Sequence, residues 1–199
     1  MLTDLALFDF SDLKDCKLCK SRFAATVTSH KPRPVFQGQS SARILIAGQA
    51  PGAKVHESGQ PFTDPSGDRL RTWMGISEDT FYDSERIAIL PMSFCFPGYN
   101  AKGADLPPPS VCARTWRPAM LSQFPNIVFS ILIGGYAQKW HLKTKSSMQS
   151  VVDNWRSYLP QSVPLPHPSW RNNVWLRKND WFESDVIPVL RQKVQEALI

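Results

Sequence analysis

The chain has 199 residues and a formal net charge of +6, with 42% hydrophobic and 20% charged residues. This is a globular composition, long enough for one α/β domain spanning 1–199 and short for two. No apolar run reaches the length of a bilayer span, and Met1-Leu2-Thr3-Asp4 lacks the basic-then-apolar order of a secretory leader, so a cytoplasmic protein with no membrane partner is expected. The excess of Lys and Arg favours a polyanion, because each phosphate contact releases counterions. A plain basic protein would show the same charge. Seven Trp and eleven Phe add surfaces that can stack on bases, although most must serve the core.

Residues 1–40 read as an irregular, cysteine-bearing entry segment. Arg43-Ile44-Leu45-Ile46-Ala47 is a short apolar run that breaks at Gly48-Gln49-Ala50-Pro51-Gly52, the pattern of a buried strand entering a loop. Ser66-Gly67-Asp68 precedes Leu70, Trp73 and Met74, whose spacing predicts a short helix capped by Ser or Gly. Ile87-Ala88-Ile89-Leu90-Pro91 predicts a second strand, and Leu106-Pro107-Pro108-Pro109 a stiff loop. Ile127 to Ile133 predicts a third strand closed by Gly134-Gly135, followed by a helix through Trp140. Residues 147–159 read as a helix stopped by Pro160, Ser162-Val163-Pro164-Leu165 as a fourth strand, and 184–198 as a final helix with Pro188 in its first turn. Alternating strands and helices predict a parallel sheet covered on both faces. Ligands of such sheets bind beyond the carboxyl ends of the strands. The loops at 48–68, 91–110 and 166–173 should therefore converge on one site.

Four cysteines are spaced C-x2-C (Cys16, Cys19) and C-x16-C (Cys95, Cys112). Nothing suggests secretion, so disulfides are disfavoured. Four thiolates suit a four-iron cluster or zinc, and one knuckle plus a widely spaced pair suits the cluster better than zinc. Ordinary buried cysteines remain a third reading.

Taken together, the four cysteines, Gly48-Gln49-Ala50-Pro51-Gly52, Gly59-Gln60-Pro61-Phe62 and His167-Pro168-Ser169 resemble the iron–sulfur uracil-DNA glycosylases of bacteria and archaea (family 4). The resemblance runs from about Cys16 to Ser169. It implies a three-layer α/β/α sandwich around a four-stranded parallel sheet, and a [4Fe–4S] cluster on Cys16, Cys19, Cys95 and Cys112 that orders DNA-facing loops. It also implies a monofunctional glycosylase that flips a base from DNA and hydrolyses its N-glycosidic bond. Gly48, Ala50, Pro51, Phe62 and Pro91 would line the base pocket, with Phe62 stacking on the flipped base. His167 would stabilise the departing base. Ser169 would bond a phosphate, with Trp170 as a wedge and Arg171, Arg177 and Lys178 as further phosphate contacts. A solvated basic face is the plainer reading of those cations, and a loop His or a core Phe that of His167 and Phe62.

Two departures from the family pattern stand out. Gln49 occupies the place of the usual Glu in the first motif; an amide can position water but cannot act as a base. Asp64, in a segment where the related family 5 enzymes carry an Asp, becomes the first choice for positioning water or stabilising the sugar cation, although an Asp before Pro also suits a turn. The second strand ends Leu90-Pro91-Met92-Ser93-Phe94-Cys95 without the Asn that reads uracil, which opens either a broader taste for deaminated bases or recognition through backbone groups. DNA containing a damaged base is the expected partner, and no obligate protein partner is evident. A non-catalytic iron–sulfur protein that recognises damaged or single-stranded DNA is the alternative. His30, His56 and His141 are expected to be surface or structural.

Overall fold

A computed structural model describes residues 10–199. Two short helices, α1 (Phe10–Lys14) and α2 (Lys20–Ala24), precede the first strand, β1 (Ile44–Ala47). Then come α3 (Ala53–Ser58), α4 (Pro65–Met74), α5 (Glu78–Tyr82), β2 (Ile87–Ile89), α6 (Ser110–Ser122), β3 (Phe129–Ile133) and α7 (Gly134–His141). The chain closes with α8 (Met148–Asp153), β4 (Ser162–Leu165), α9 (Asn173–Lys178) and α10 (Ile187–Leu198).

The four strands pair in the order β2-β1-β3-β4, all parallel. Because successive strand residues face opposite sides, β1, β2 and β3 each feed two cores. Ile44, Ile46, Ile87, Ile89 and Ile131 pack with Leu70, Trp73 and Met74 of α4 and Leu190 and Val194 of α10. Leu45, Ala47, Ala88 and Leu132 pack on the other face, with Leu13, Met120 and Ala137. The result is the α/β/α sandwich with a four-stranded parallel sheet that the sequence led us to expect. Pro164 fits in β4 because β4 is an edge strand, where one missing N–H breaks no interior ladder.

Several elements differ from the sequence reading. The helix read over 147–159 ends at Asp153 and becomes a 3-10 turn at Trp155–Tyr158, with Asn154 between them. The Gly134-Gly135 pair opens α7 rather than separating it from β3; Gly134 takes φ 76°, which lets the chain turn straight from strand to helix. The final helix is α10 with a π-helical turn, Phe182–Val186, before it, and Pro188 lies in its first turn as expected. The helix read after Ser66-Gly67-Asp68 begins earlier, at Pro65, and its cap is Asp64 rather than Ser or Gly. The sequence reading missed α6 altogether, because Pro118 lies inside it, a signal that argues against a helix; Pro109 precedes it as the N-cap, where proline is tolerated.

Candidate active site

Parallel strands bring the loops after β1, β2 and β4 to the same edge of the sheet, and hydrogen bonds stitch them together. The amides of Met92 and Ser93 donate to the carbonyls of Gly48 (2.9 Å) and Gln49 (3.1 Å), joining the first two loops. Arg69, on α4, donates to the Ser169 carbonyl (3.4 Å) and to Asn173 Oδ1 (2.8 Å), joining the 61–69 segment to the loop after β4. Arg171 pairs with Asp105 at 2.8 Å, closing the 91–110 loop against the same edge.

Phe62 occupies an unusual backbone position. Its φ is +56°, a left-handed conformation that costs a non-glycine residue about 1–2 kcal/mol. Three features hold it there. The Tyr82 hydroxyl, kept protonated by burial, lies 2.9 Å from the Pro61 carbonyl and 3.2 Å from that of Phe62. The Phe62 ring packs edge-on to Phe81, centroids 6.0 Å apart. Gly67 leaves room for the Phe62 carbonyl, since a Cβ there would lie 1.8 Å from that oxygen. The ring tip reaches the first loop: a Cβ on Gly48 would sit 3.7 Å from Phe62 Cζ. Gly48 and Phe62 therefore share one surface, and the same loop continues through half-buried Ala50 and buried Pro51.

Asp64 caps α4. Its Oδ1 accepts from the amides of Ser66 (3.0 Å) and Gly67 (3.3 Å), while Oδ2 makes no hydrogen bond to a described residue. The capping role and a catalytic role are compatible, because each uses one oxygen. Gln49, half-buried at the end of β1, makes no side-chain hydrogen bond to a described residue.

His167 lies just beyond β4. The Ser169 amide donates to its Nδ1 at 3.2 Å, and the Asn172 side chain donates to its carbonyl at 2.7 Å. An amide can only donate, so Nδ1 is an acceptor and the proton of the neutral ring sits on Nε2. Burial pulls the imidazole below its ordinary pKa; Asp64 and Asp105 oppose this and Arg171 adds to it. The group is thus a neutral Nε2–H donor, with Asp64 within electrostatic reach. His167, Asp64, Phe62 and Gly48 are brought to one region, as the converging loops require.

The rim carries the DNA-facing candidates. Trp170 is 73% exposed, and the Arg171 guanidinium lies 6.0 Å from its ring centroid. Ser169 Oγ accepts from the Arg171 amide, which leaves its proton free to donate. Arg171, Arg177 and Lys178 are exposed.

At the end of β2 the backbone is already committed. The Leu90 amide donates to Ile46, the Met92 and Ser93 amides to the first loop, and the carbonyls of Leu90 and buried Pro91 accept from Arg117 at 2.9 and 3.0 Å. Pro91 has no N–H. The amide donors of this strand end are therefore spent, and each of the two carbonyls already holds one hydrogen bond.

Cys16, Cys19, Cys95 and Cys112 line one small cavity with Leu13, Phe94 and Trp116. All four are free thiols. Cys95 is pushed up to about 12 by burial and by Cys112, Cys16 and Cys19, with the Arg33 amide bonded to it acting in the opposite direction. The Phe94 amide reaches Cys112 Sγ at 3.5 Å. Among the described residues no group of three or more His, Cys, Asp or Glu is disposed to hold a metal ion. The four thiols, their apolar surroundings and N–H···S bonds suit a polynuclear thiolate cluster.

The three other histidines serve the structure. His30 stacks on Phe23 and bonds Thr28 and the Phe96 carbonyl; His56 packs edge-on to His30; His141 accepts from Arg117. Sequence reasoning missed Arg69, Tyr82, Gly67 and Arg117. Arg69, Tyr82 and Arg117 act through partners distant in the chain, and Gly67 through a close approach to Phe62 that depends on the local backbone direction; no sequence pattern marks either.

The fold is a parallel α/β/α sandwich that carries a neutral His167 and a left-handed Phe62 in the loops at the carboxyl edge of its sheet. The sequence profile of the uracil DNA glycosylase superfamily matches residues 35–191, which is most of the chain, and the protein belongs to that superfamily. Its members act on DNA and hydrolyse N-glycosidic bonds. Among the described residues no helix is long and apolar enough to cross a membrane.

Proposed function

We propose that this protein is a monofunctional DNA glycosylase that excises uracil or another deaminated base, and that it is of the iron–sulfur type. The single observation that carries this reading is the Nε2–H of neutral His167, fixed in tautomer by the Ser169 amide. A departing base takes the electron pair of the C1′–N bond. Its new charge falls on oxygens that a neutral donor can stabilise without first having been a cation paired elsewhere.

The other residues supply geometry. The nucleotide must leave the stack before its glycosidic bond can be reached, at a cost of a few kcal/mol. Exposed Trp170 is suited to fill the gap, and Ser169 and Arg171 to hold the neighbouring phosphates, with Arg171 exchanging Asp105 for a phosphate oxygen. The Arg171–Asp105 pair is solvent-exposed, so little is lost when it opens. Phe62 stacks on the extruded base beside Gly48, Ala50, Pro51 and Pro91. Water held by Gln49 and Asp64 Oδ2 attaches its oxygen to C1′ as the base departs, and its proton passes to Asp64 or to solvent. No lysine is needed, since water is the nucleophile.

The strand end at Pro91 offers neither an Asn nor an uncommitted backbone donor, which supports selection by leaving ability and shape over strict uracil reading. The four cysteines would hold a [4Fe–4S] cluster, which supplies a structural cross-link between the entry segment and the 91–112 region and takes no part in bond cleavage. Cys16 and Cys19 precede the matched residues, so the iron–sulfur assignment rests on the shared thiol-lined cavity. Unpaired thiols also fit a cytoplasmic setting.

The test is incubation with oligonucleotides containing uracil, hypoxanthine or xanthine, followed by alkali. Strand cleavage at any of these bases is expected. Retention on the same DNA with no cleavage of any would overturn catalysis and leave a binding protein. Trp170→Ala is expected to lower excision from duplex DNA about tenfold while sparing single-stranded substrate, since only the duplex needs a wedge; single-turnover rates on matched substrates check this.

A further inference from the structure

Arg117 is fully buried, at 0% exposure, midway along α6. Its NH1 donates to the Leu90 and Pro91 carbonyls, its Nε lies 3.1 Å and its NH2 2.5 Å from His141 Nε2, and its guanidinium carbon lies 5.2 Å from the Trp140 ring centroid. All of these partners are neutral. Burial pushes His141 down to about 3, so that it offers a lone pair and no charge. Arg117 makes no ion pair with a described carboxylate. Burying a cation without an anion is expensive, and carbonyl dipoles and a ring face compensate it only in part. Burial pushes Arg117 down to about 9, and Cys112, five residues earlier on the same helix, acts in the opposite direction, favouring the cation. A metal–thiolate cluster on four cysteines carries net negative charge.

We propose that Arg117 is the built-in counter-cation of the four-cysteine site, and that through NH1 it fastens the base-facing end of β2 to that site. This rests on the reading of the cysteines as cluster ligands. The guanidinium is kept in the interior by the anion that the thiolates create, and the same side chain keeps the Leu90 and Pro91 carbonyls turned away from the base. Cluster loading and the shape of the base pocket are thereby linked.

The experiment compares wild type with Arg117→Met and Arg117→Lys, all purified without oxygen. It measures iron per chain, the rate at which a chelator bleaches the visible absorbance, and the melting temperature before and after stripping. Arg117→Met is expected to lose iron about tenfold faster than wild type, the size of one partly screened charge interaction. Its melting temperature should fall below wild type when loaded and match or exceed it when stripped, because the stripped wild type retains an uncompensated charge. Arg117→Lys keeps the charge and should hold iron nearly as long as wild type. Equal iron retention by Met and wild type, or equal changes in melting temperature in both states, would overturn the assignment. If Arg117→Met fails to fold, iron loss from Arg117→Lys as fast as tenfold above wild type would do the same. Wild-type protein with no bound iron would sink the cluster reading itself, whereas loaded wild type with unaffected variants would sink the Arg117 assignment alone.

Discussion

Replacing His167 by Ala is expected to slow single-turnover base excision by about 10²–10³-fold, the measured range for losing one preorganised donor to a developing anion. Affinity for DNA containing the target base should change little, because the donor acts on charge that appears only as the bond breaks. The pH profile separates this role from a structural one. Burial lowers the pKa of His167, so the imidazole remains neutral, with its proton on Nε2, as pH falls through the ordinary histidine range near 6.5. Wild-type excision should therefore show no loss centred on that value, and decline only at lower pH, where the ring takes up a second proton. His167→Gln keeps a donor of similar reach and is expected to recover part of the rate. An imidazole that merely packed against Pro166 and Pro168 would give a loss of melting temperature in proportion to the loss of rate, with no rescue by Gln.

Gly67→Ala is the second large effect, and here two principles point in opposite directions. Within a helix, Ala is favoured over Gly by about 1 kcal/mol. At this position a Cβ would lie 1.8 Å from the Phe62 carbonyl oxygen and 2.8 Å from its carbon, both backbone atoms that cannot swing aside. Overpacking of this kind costs about 1–3 kcal/mol, so the steric term wins and the variant should be less stable than wild type. The larger consequence is functional. Relief of the overlap moves Phe62 out of its left-handed conformation and away from Gly48, and excision should fall about tenfold or more beyond what the drop in stability accounts for. Thermal melting together with excision at a temperature well below the transition checks both. A variant more stable than wild type with full activity would show that helix propensity governs the site.

The strands, their parallel order and the meeting of three loops were legible because the signals are local: β-branched runs ended by Gly or Pro, each of strand length. The motif residues at 48–52, 61–64 and 167–169 were legible as residue types, but not their hydrogen bonds. That Asp64 spends one oxygen on a helix cap, and that Ser169 fixes the tautomer of His167, depends on backbone directions that spacing does not give. Helix α6 was hidden by its internal Pro118, and with it Arg117, whose interior position contradicts what an arginine's charge suggests. Backbone reading of the base at the end of β2 was open in the sequence; the sequence did not show that the carbonyls of Leu90 and Pro91 already accept from that arginine.

The most direct test of a base-excising pocket is chemical analysis of what leaves the DNA. Wild-type protein incubated with a uracil-, hypoxanthine- or xanthine-containing duplex should release the free base in step with abasic strand that stays intact until alkali is added. Strand that binds the protein and yields no free base from any of the three, with His167 and Phe62 both in place, would contradict the account.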